Sequence, residues 1–160
     1  MGRIIKKIGF DIHGVIDENP NLFSKIINKF REIGYEIHIL TGSLVTPKLI
    51  EELEEYNINY DHLFSILGHH KIKGTEMWKN SRGWWIDDSI WEQTKALYCK
   101  THNLNFHIDD TRSYGKYFNT PFGHLTPHEE NPRILEITGD VDTDILDILK
   151  ENEGYYKMRF

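Results

Sequence analysis

The sequence predicts an α/β fold, a three-layer, doubly wound sandwich with a mainly parallel sheet at its centre. Three observations favour this class. Short apolar runs alternate along the chain with longer segments whose apolar residues recur at helical spacing. The 160 residues show no internal repeat and fit one domain. Several apolar runs end in acidic or hydroxyl residues, as strands do where a ligand binds beyond their carboxyl ends.

The first half of the chain gives five elements in regular order. Isoleucine-rich residues predict the first strand, and Pro20 opens a helix that Gly34 ends. Thr46 and Pro47 supply the cap and the first position of a second helix. The predicted ranges are strands at 4–10, 35–40 and 62–67, and helices at 20–33 and 46–56.

The second half continues the alternation. Asp88 or Ser89 caps a helix that reaches residue 101, and Asp140 or Thr143 caps a last helix that reaches residue 149. Strands are predicted at 104–108 and 133–137. Strands that alternate with helices form parallel sheets covered on both faces, and right-handed crossovers then fix the doubly wound arrangement.

The segment 67–88 interrupts this rhythm and fits no crossover helix. It predicts a β-hairpin, with strands at 75–79 and 84–87 around a turn at 80–83. All four tryptophans fall in or beside it. We interpret it as a Trp-rich flap inserted in a single domain of residues 1–160, either covering part of the sheet or forming a lid beside the active edge.

Composition limits the class of protein. One cysteine excludes an intramolecular disulfide and zinc sites built from cysteine pairs. The net charge of −6 argues against general affinity for nucleic acid. The sequence has no signal-peptide pattern and no long apolar run, so we predict a cytoplasmic protein without membrane contact.

Acidic residues follow the first and fourth predicted strands. Asp11 ends the first, and Asp109 and Asp110 end the fourth. Because the carboxyl ends of parallel strands share one edge of the sheet, these side chains are expected to converge. Clustered carboxylates repel one another unless they share a proton or a cation, and an oxygen-rich, open site suits Mg²⁺.

The second strand brings groups that suit an anion to the same edge. Thr41 ends it, and the backbone of Gly42 and Ser43 leads toward a helix, where N–H groups bind phosphate. A nearby lysine would complete a charge clamp on a phosphoryl group. Together these groups predict phosphoryl transfer through an aspartyl intermediate on Asp11.

Three motifs in this order resemble those of the haloacid dehalogenase-like (HAD) superfamily. "IGFDIHGVID" is similar to its first motif, "IHILTGS" to its second and "NFHIDDT" to its fourth. The resemblance covers about residues 4–118. It implies a Mg²⁺-dependent phosphatase in which Asp11 is nucleophile and metal ligand, Thr41 binds phosphate, and Asp109, Asp110 and the His13 carbonyl hold the metal.

Other phosphate-handling folds fit the sequence less well. Receiver domains carry paired acids after the first strand and a single phospho-acceptor after the third, whereas here the acid pair comes last. The chain has no Gly-rich loop ending in Lys-Ser/Thr, and its first strand lacks the glycines of a dinucleotide fingerprint.

The lysine of the family's third motif has several candidates. We favour Lys95, on the helix before the fourth strand, as a catalytic group. Lys73, in the loop after the third strand, is the next candidate and could bind substrate. Three further lysines stay open as alternatives: Lys71, Lys79 and Lys100.

His13 departs from the family pattern. Phosphatases of this family carry a second aspartate there, which protonates the leaving group and later activates water. Three interpretations remain: His13 does this acid–base work itself; the protein is a weak or inactive relative that binds phosphate ligands or acts in regulation; or the leaving group is handled elsewhere.

Members of the resembled family select their substrates with cap domains, and this chain resembles a capless or minimally capped member. No room for a cap exists between Gly14 and Pro20, and only the Trp-rich flap follows the third strand. The open site suits a phosphorylated small molecule or nucleotide, a macromolecular phosphate, or closure by a second subunit. Trp84 and Trp85 could stack on a nucleobase or sugar, or could equally be buried against the helix at Trp91. The loop at 117–132 could bring His124 or His128 to the edge.

Overall fold

A seven-stranded, mostly parallel sheet forms the centre of the protein in a computed structural model, which describes residues 4–126 and 133–160. Its order is β3-β2-β1-β6-β7-β8-β9. All neighbours pair in parallel except β7 and β8. The strands are β1 (Lys7–Phe10), β2 (Glu36–Thr41), β3 (His62–Ser65), β4 (Trp78–Asn80), β5 (Gly83–Trp85), β6 (Phe106–Asp109), β7 (Phe122–Leu125), β8 (Arg133–Thr138) and β9 (Tyr156–Arg159). The pair β4 and β5 forms a separate antiparallel hairpin.

Helices cover both faces of the sheet, which confirms the predicted α/β sandwich at the level of a Rossmann-like arrangement. Side chains of α1, α2 and α5 pack with one face in the main core. Residues of α4 pack with the other face around Leu40 and Leu104. The helices are α1 (Pro20–Glu32), α2 (Pro47–Glu55), α3 (Ile66–Lys73), α4 (Asp88–Thr101) and α5 (Thr143–Lys150), with two 3₁₀ turns at Ile16–Glu18 and Arg112–Tyr117.

Side chains that alternate along β6 place its apolar residues on one face of the sheet and its polar residues on the other. In β6, Phe106 and Ile108 enter the core under α1 and α5. His107 and Asp109 alternate with them and therefore point to the α4 face. The acid at the end of the strand is thus delivered to the face that α4 covers, next to the carboxyl edge.

The order in which the chain adds strands to the sheet reverses between β1 and β6, although these two strands are parallel. The strands β2 and β3 lie on one side of β1, and the later strands lie on the other side. Asp11 continues the pairing just past β1, since its N–H donates to the carbonyl of Ile108 at 3.0 Å. A crevice at such a reversal point is where open α/β sheets bind ligands.

One helix was missed by the sequence pattern. The predicted third strand at 62–67 is too long, because β3 ends at Ser65, and α3 follows at once in a segment where no crossover helix was expected. The Ser65 hydroxyl accepts a hydrogen bond from the Gly68 N–H at 2.8 Å, and Gly74 ends the helix with φ +81°. The rest of the segment agrees with the prediction, since a hairpin pairs Trp78 with Trp85.

Two strands were also missed. Strand β7 lies in the segment 117–132 that was expected to be a loop, and β9 lies near the end of the chain. No helix within residues 4–126 and 133–160 is long and apolar enough to cross a membrane.

Candidate active site

Three carboxylates meet where β1 and β6 end. Asp11, Asp109 and Asp110 each offer an oxygen, and these atoms lie within 4.8 Å of one another. Asp11 and Asp109 are buried, whereas Asp110 is partly exposed at the mouth of the site. The convergence predicted from the strand ends is therefore present in the structure.

Lys95 lies between the two buried acids. Its Nζ is 3.1 Å from Asp11 Oδ1 and 2.7 Å from Asp109 Oδ2, and its side chain is 3% exposed. It projects from the middle of α4. The other candidate lysines are all exposed: Lys71, Lys73, Lys79 and Lys100. Among these five lysines, only Lys95 is paired with the acids of the cluster.

Burial and the nearby opposite charges shift the pKa values of Asp11, Asp109 and Lys95 in opposite directions. Burial raises the pKa of Asp11 well above its usual range, although Lys95 opposes the shift. Burial also acts on Asp109, but there Lys95 and His107 outweigh it and hold the pKa well below the usual range. For Lys95, the carboxylates of Asp109 and Asp11 outweigh burial and raise the pKa. The Lys95–Asp109 pair is therefore charged.

Asp110 is the third acid in this balance. Burial is the main cause that raises its pKa, and the neighbouring charge of Asp109 adds to it. One ammonium group thus faces three carboxyl groups, so the fully ionised cluster carries surplus negative charge. A divalent cation would offset that surplus.

His107 and Thr111 hold Asp109 in place. The Nε2 of His107 lies 2.9 Å from Asp109 Oδ2, and the Thr111 N–H donates to Oδ1 at 3.1 Å. His107 is fully buried and stacks on Phe118, with ring centroids 5.5 Å apart. Sequence reasoning missed His107, although its position two residues before Asp109 puts both side chains on one face of β6.

The loop after β1 is fixed by hydrogen bonds at several points. The Ile12 N–H donates to Asp11 Oδ1 at 2.9 Å, and the Gly14 N–H donates to Asp17 Oδ1 at 2.7 Å. Arg133, which is buried, donates from Nη2 to the Gly14 carbonyl at 2.7 Å. Gly14 has φ +90°, and a Cβ there would overlap the Asp110 carboxylate. The turn therefore requires glycine.

An open cavity of about 270 Å³ lies over the cluster. It exposes the Asp11 and Asp110 carboxylates together with His13, whose side chain is exposed. The cavity is lined by Asp11, His13, Gly42, Ser43, Leu67, Trp91, Lys95, Asp110, Thr111 and Tyr114.

Thr41 lies beneath this surface. It is fully buried, and its Oγ1 accepts a hydrogen bond from the Ser43 N–H at 3.2 Å. Gly42 and Ser43, rather than Thr41, form the wall of the cavity. Gly42 and Ser43 of the second predicted motif therefore line the same cavity as the acids. Thr41 is buried behind them and holds the turn by its hydrogen bond to Ser43.

Trp91 and Tyr114 form a wall that the sequence did not reveal. The indole N–H of Trp91 donates to the Tyr114 hydroxyl. A Cβ on Gly42 would come within 2.5 Å of Trp91 Cζ2, so the ring lies directly against the Gly42 backbone. The sequence predicts Trp91 on the inner face of its helix, beside the Trp-rich region, but no sequence pattern links it to Tyr114 on the later 3₁₀ turn.

Two predicted substrate-binding residues lie outside the cavity. Lys73 and Trp84 are exposed, and neither contributes to its lining. Trp84 instead faces Lys79, whose Nζ is 5.7 Å from the indole centroid. The Trp-rich hairpin therefore reaches beyond the cavity wall.

The predicted approach of the loop 117–132 can be followed for one of its histidines. His124 Nε2 lies 3.1 Å from the carbonyl of Asp110, so the residue supports the backbone of the acid pair. His128 lies outside the described residues.

The donor set of the cluster fits Mg²⁺. All candidate donors are oxygens: carboxylates of Asp11, Asp109 and Asp110, and the carbonyl of His13. Within residues 4–126 and 133–160, no hydrogen bond is donated to the His13 carbonyl. The bridging ammonium of Lys95 leaves the mouth of the site, at Asp110, as the side open to a cation and its waters.

No protein-family model matches the chain, and no curated protein matches it.

Proposed function

We propose that this protein is a Mg²⁺-dependent phosphohydrolase of the haloacid dehalogenase-like type, which cleaves phosphate monoesters through an aspartyl-phosphate on Asp11. The observation that carries the proposal is the convergence of Asp11, Asp109 and Asp110 within 4.8 Å, with Lys95 bridging the two buried acids. This arrangement combines a nucleophile with charge compensation beside an open cavity.

The first step uses Asp11 as nucleophile. A carboxylate oxygen attacks phosphorus, the new P–O bond forms, and the bond to the leaving oxygen breaks with its electron pair. Lys95 favours the ionised form of Asp11 because its ammonium lies 3.1 Å from Oδ1. Gly42 and Ser43 line the cavity and would contact the phosphoryl oxygens.

The second step regenerates the enzyme. Water attacks phosphorus, the P–O bond to Asp11 breaks, and phosphate is released with the carboxylate restored. His13 lines the cavity and is the candidate base that takes the proton from this water. When bound by Asp11, Asp109, Asp110 and the His13 carbonyl, Mg²⁺ would neutralise charge on the phosphoryl oxygens.

Turnover of p-nitrophenyl phosphate tests the proposal. We expect release of p-nitrophenol that requires Mg²⁺, stops with EDTA and is lost in Asp11→Asn. His69→Gln, which changes an exposed histidine outside the cavity, is the matched control and should retain the rate. Activity that survives Asp11→Asn, or no turnover on a panel of phosphate esters, would contradict it.

The alternative is a weak or inactive phosphate-ligand-binding or regulatory protein on the same scaffold. The observation that favours it is His13, which occupies the place of the second aspartate in phosphatases of the resembled family. In that case calorimetry should detect binding of a nucleotide or of inorganic phosphate to the protein with Mg²⁺, without turnover. Binding should still be weakened by Asp110→Asn.

A further inference from the structure

A second cluster of metal-ligating side chains lies at the opposite end of the sheet. Glu36 and His38 lie two apart on β2, and His62 on β3 is the register partner of His38. Their donor atoms lie within 4.8 Å of one another. The two imidazoles stack with centroids 4.6 Å apart.

Both imidazoles present the same nitrogen to one oxygen. His38 Nε2 is 2.6 Å from Glu36 Oε1, and His62 Nε2 is 3.2 Å from the same atom. Zinc bonds nitrogen and carboxylate oxygen at about 2.0–2.2 Å, which separates tetrahedral ligand atoms by about 3.3 Å. A movement of the partly exposed Glu36 carboxylate by about 1 Å, together with rotation of the exposed His62 ring out of its stack on His38, would therefore admit an ion.

The outer contacts orient His38 as a ligand. Its other nitrogen, Nδ1, lies 2.7 Å from the Tyr98 hydroxyl on α4. Metal-bound histidines usually have such a partner on the second ring nitrogen, which fixes the tautomer and the ring orientation.

The cluster is also open to solvent. His62 has a side chain that is 54% exposed, whereas that of His38 is 2% exposed. One ligand histidine is thus buried and the other is exposed, which leaves a fourth coordination position open to solvent.

His102 flanks the cluster, with its ring centroid 6.2 Å from that of His38, and Lys7 donates to the His102 carbonyl at 3.0 Å. The positive charge of Lys7 opposes cation binding, so the site depends on direct bonds to its three ligands.

We propose that Glu36, His38 and His62 bind a divalent transition-metal ion of the Zn²⁺ type, with solvent in the fourth position. Two imidazoles and one carboxylate suit such ions, whereas Mg²⁺ prefers oxygen donors alone. The site is separate from the carboxylate cluster, since β2 places Glu36 at its amino end and Thr41 at its carboxyl end.

Titration with Zn²⁺ tests the site when the protein is first freed of metal and then placed in excess Mg²⁺. The Mg²⁺ occupies sites built from oxygen donors and leaves the imidazoles free. Calorimetry should show one equivalent of bound Zn²⁺, and Co²⁺ should give the absorption of a tetrahedral nitrogen–oxygen complex. His62→Gln and Glu36→Gln should each lower the affinity for Zn²⁺ at least about tenfold. Tyr98→Phe should lower that affinity by about tenfold.

Two controls separate this site from others on the protein. His69→Gln removes an exposed histidine outside the cluster, and Asp11→Asn alters only the carboxylate cluster, so both should bind Zn²⁺ as the unaltered protein does. Unchanged binding in His62→Gln would overturn the proposal. So would equal weakening in His69→Gln, or the absence of any Zn²⁺ binding in excess Mg²⁺.

Discussion

At the scale of single residues, His13 determines which esters the proposed enzyme cleaves. It lines the cavity beside Asp11, and its side chain is exposed. An imidazole at this position can take a proton from water, whereas the carboxylic acid that would protonate a poor leaving group is absent. We therefore expect aryl phosphates to be cleaved at least about tenfold faster than alkyl phosphates, since general acid catalysis contributes at least that much.

Steady-state rates on p-nitrophenyl phosphate and glycerol phosphate measure this preference. His13→Asp should narrow it by restoring an acid, while His13→Asn should keep it and slow both reactions. Equal rates on the two esters in the unaltered protein would show that His13 does not limit protonation of the leaving group.

Asp11 illustrates the conflict between function and stability. Burial raises its pKa in the folded state, so ionised Asp11 destabilises the fold once the pH exceeds the unfolded value of about 4. Between the unfolded and folded values the native state binds more protons, and stability falls as pH rises. We expect Asp11→Asn, without Mg²⁺, to be more stable than the unaltered protein at pH ~7 by about 0.5–2 kcal/mol.

Urea unfolding in EDTA from acidic to neutral pH measures this difference. The two proteins should converge as the pH falls toward the unfolded pKa of Asp11, and added Mg²⁺ should stabilise the unaltered protein more. A less stable Asp11→Asn at neutral pH in EDTA would show that the ion pair with Lys95 outweighs burial.

The residues of the site were predictable to different degrees. Asp11, Asp109 and Asp110 follow apolar strands, so parallel pairing alone brings them together, and Lys95 was favoured from its helix. Trp91 and Tyr114 meet only through the packing of α4 against a 3₁₀ turn, which leaves no periodic signal. The sequence offers Lys73 as a candidate for the third-motif lysine and Trp84 as a surface for stacking on a base, but neither residue lines the cavity.

At the scale of elements, the turn after β1 depends on Gly14. An alanine there adopts an unfavourable positive φ, and its Cβ overlaps the Asp110 carboxylate. We expect Gly14→Ala to lower the free energy of unfolding by about 1–3 kcal/mol and to weaken Mg²⁺ binding. Gly74→Ala is the matched control, because Gly74 has φ +81° but no atom within 4 Å of an added Cβ.

Urea unfolding and Mg²⁺ calorimetry on both variants separate the two effects. Gly74→Ala should reproduce the backbone cost, roughly 1–2 kcal/mol, with unchanged Mg²⁺ affinity. Equal Mg²⁺ affinity in Gly14→Ala and the unaltered protein would show that Asp110 does not hold the ion.

The elements that the sequence missed share a physical cause. Helix α3 buries Ile66, Leu67 and His70 but has a weak apolar stripe, so its cap at Ser65 and its end at Gly74 are its clearest signals. Strand β7 has only four residues, all buried, so it shows no alternation of apolar and polar positions. The longer, amphipathic α1 and α2 were predicted to within about one residue because one face of each is apolar.

At the scale of the whole molecule, the hairpin of β4 and β5 is an appendage of the sandwich. It pairs only with itself, and Trp78, Trp84 and Trp85 keep 51%, 36% and 39% of their surface exposed. Its flanks are anchored, since Met77 and Ile86 pack beside α3 and Trp91. A separate, exposed apolar element beside a cavity suits contact with a large substrate or a second subunit.

Replacement of residues 78–85 by a short Gly-Ser turn tests this division. Because the ladder brings residues 77 and 86 together, the turn can close without moving the anchors. We expect the free energy of unfolding to change by less than about 1 kcal/mol, as for other exposed positions. Turnover of p-nitrophenyl phosphate should persist, since no residue of the replaced segment lines the cavity. Activity on a phosphorylated nucleotide or macromolecule should fall if the tryptophans contact it.

Trp91→Ala is the comparison variant, because it removes a residue that lines the cavity and should lower turnover of p-nitrophenyl phosphate as well.

Sedimentation of the unaltered and hairpin-replaced proteins distinguishes the two roles of the hairpin. Loss of a dimer together with loss of activity on large substrates would assign it to subunit closure, whereas an unchanged oligomeric state would assign it to substrate contact. Unfolding of the replaced protein would show instead that the hairpin belongs to the folded core.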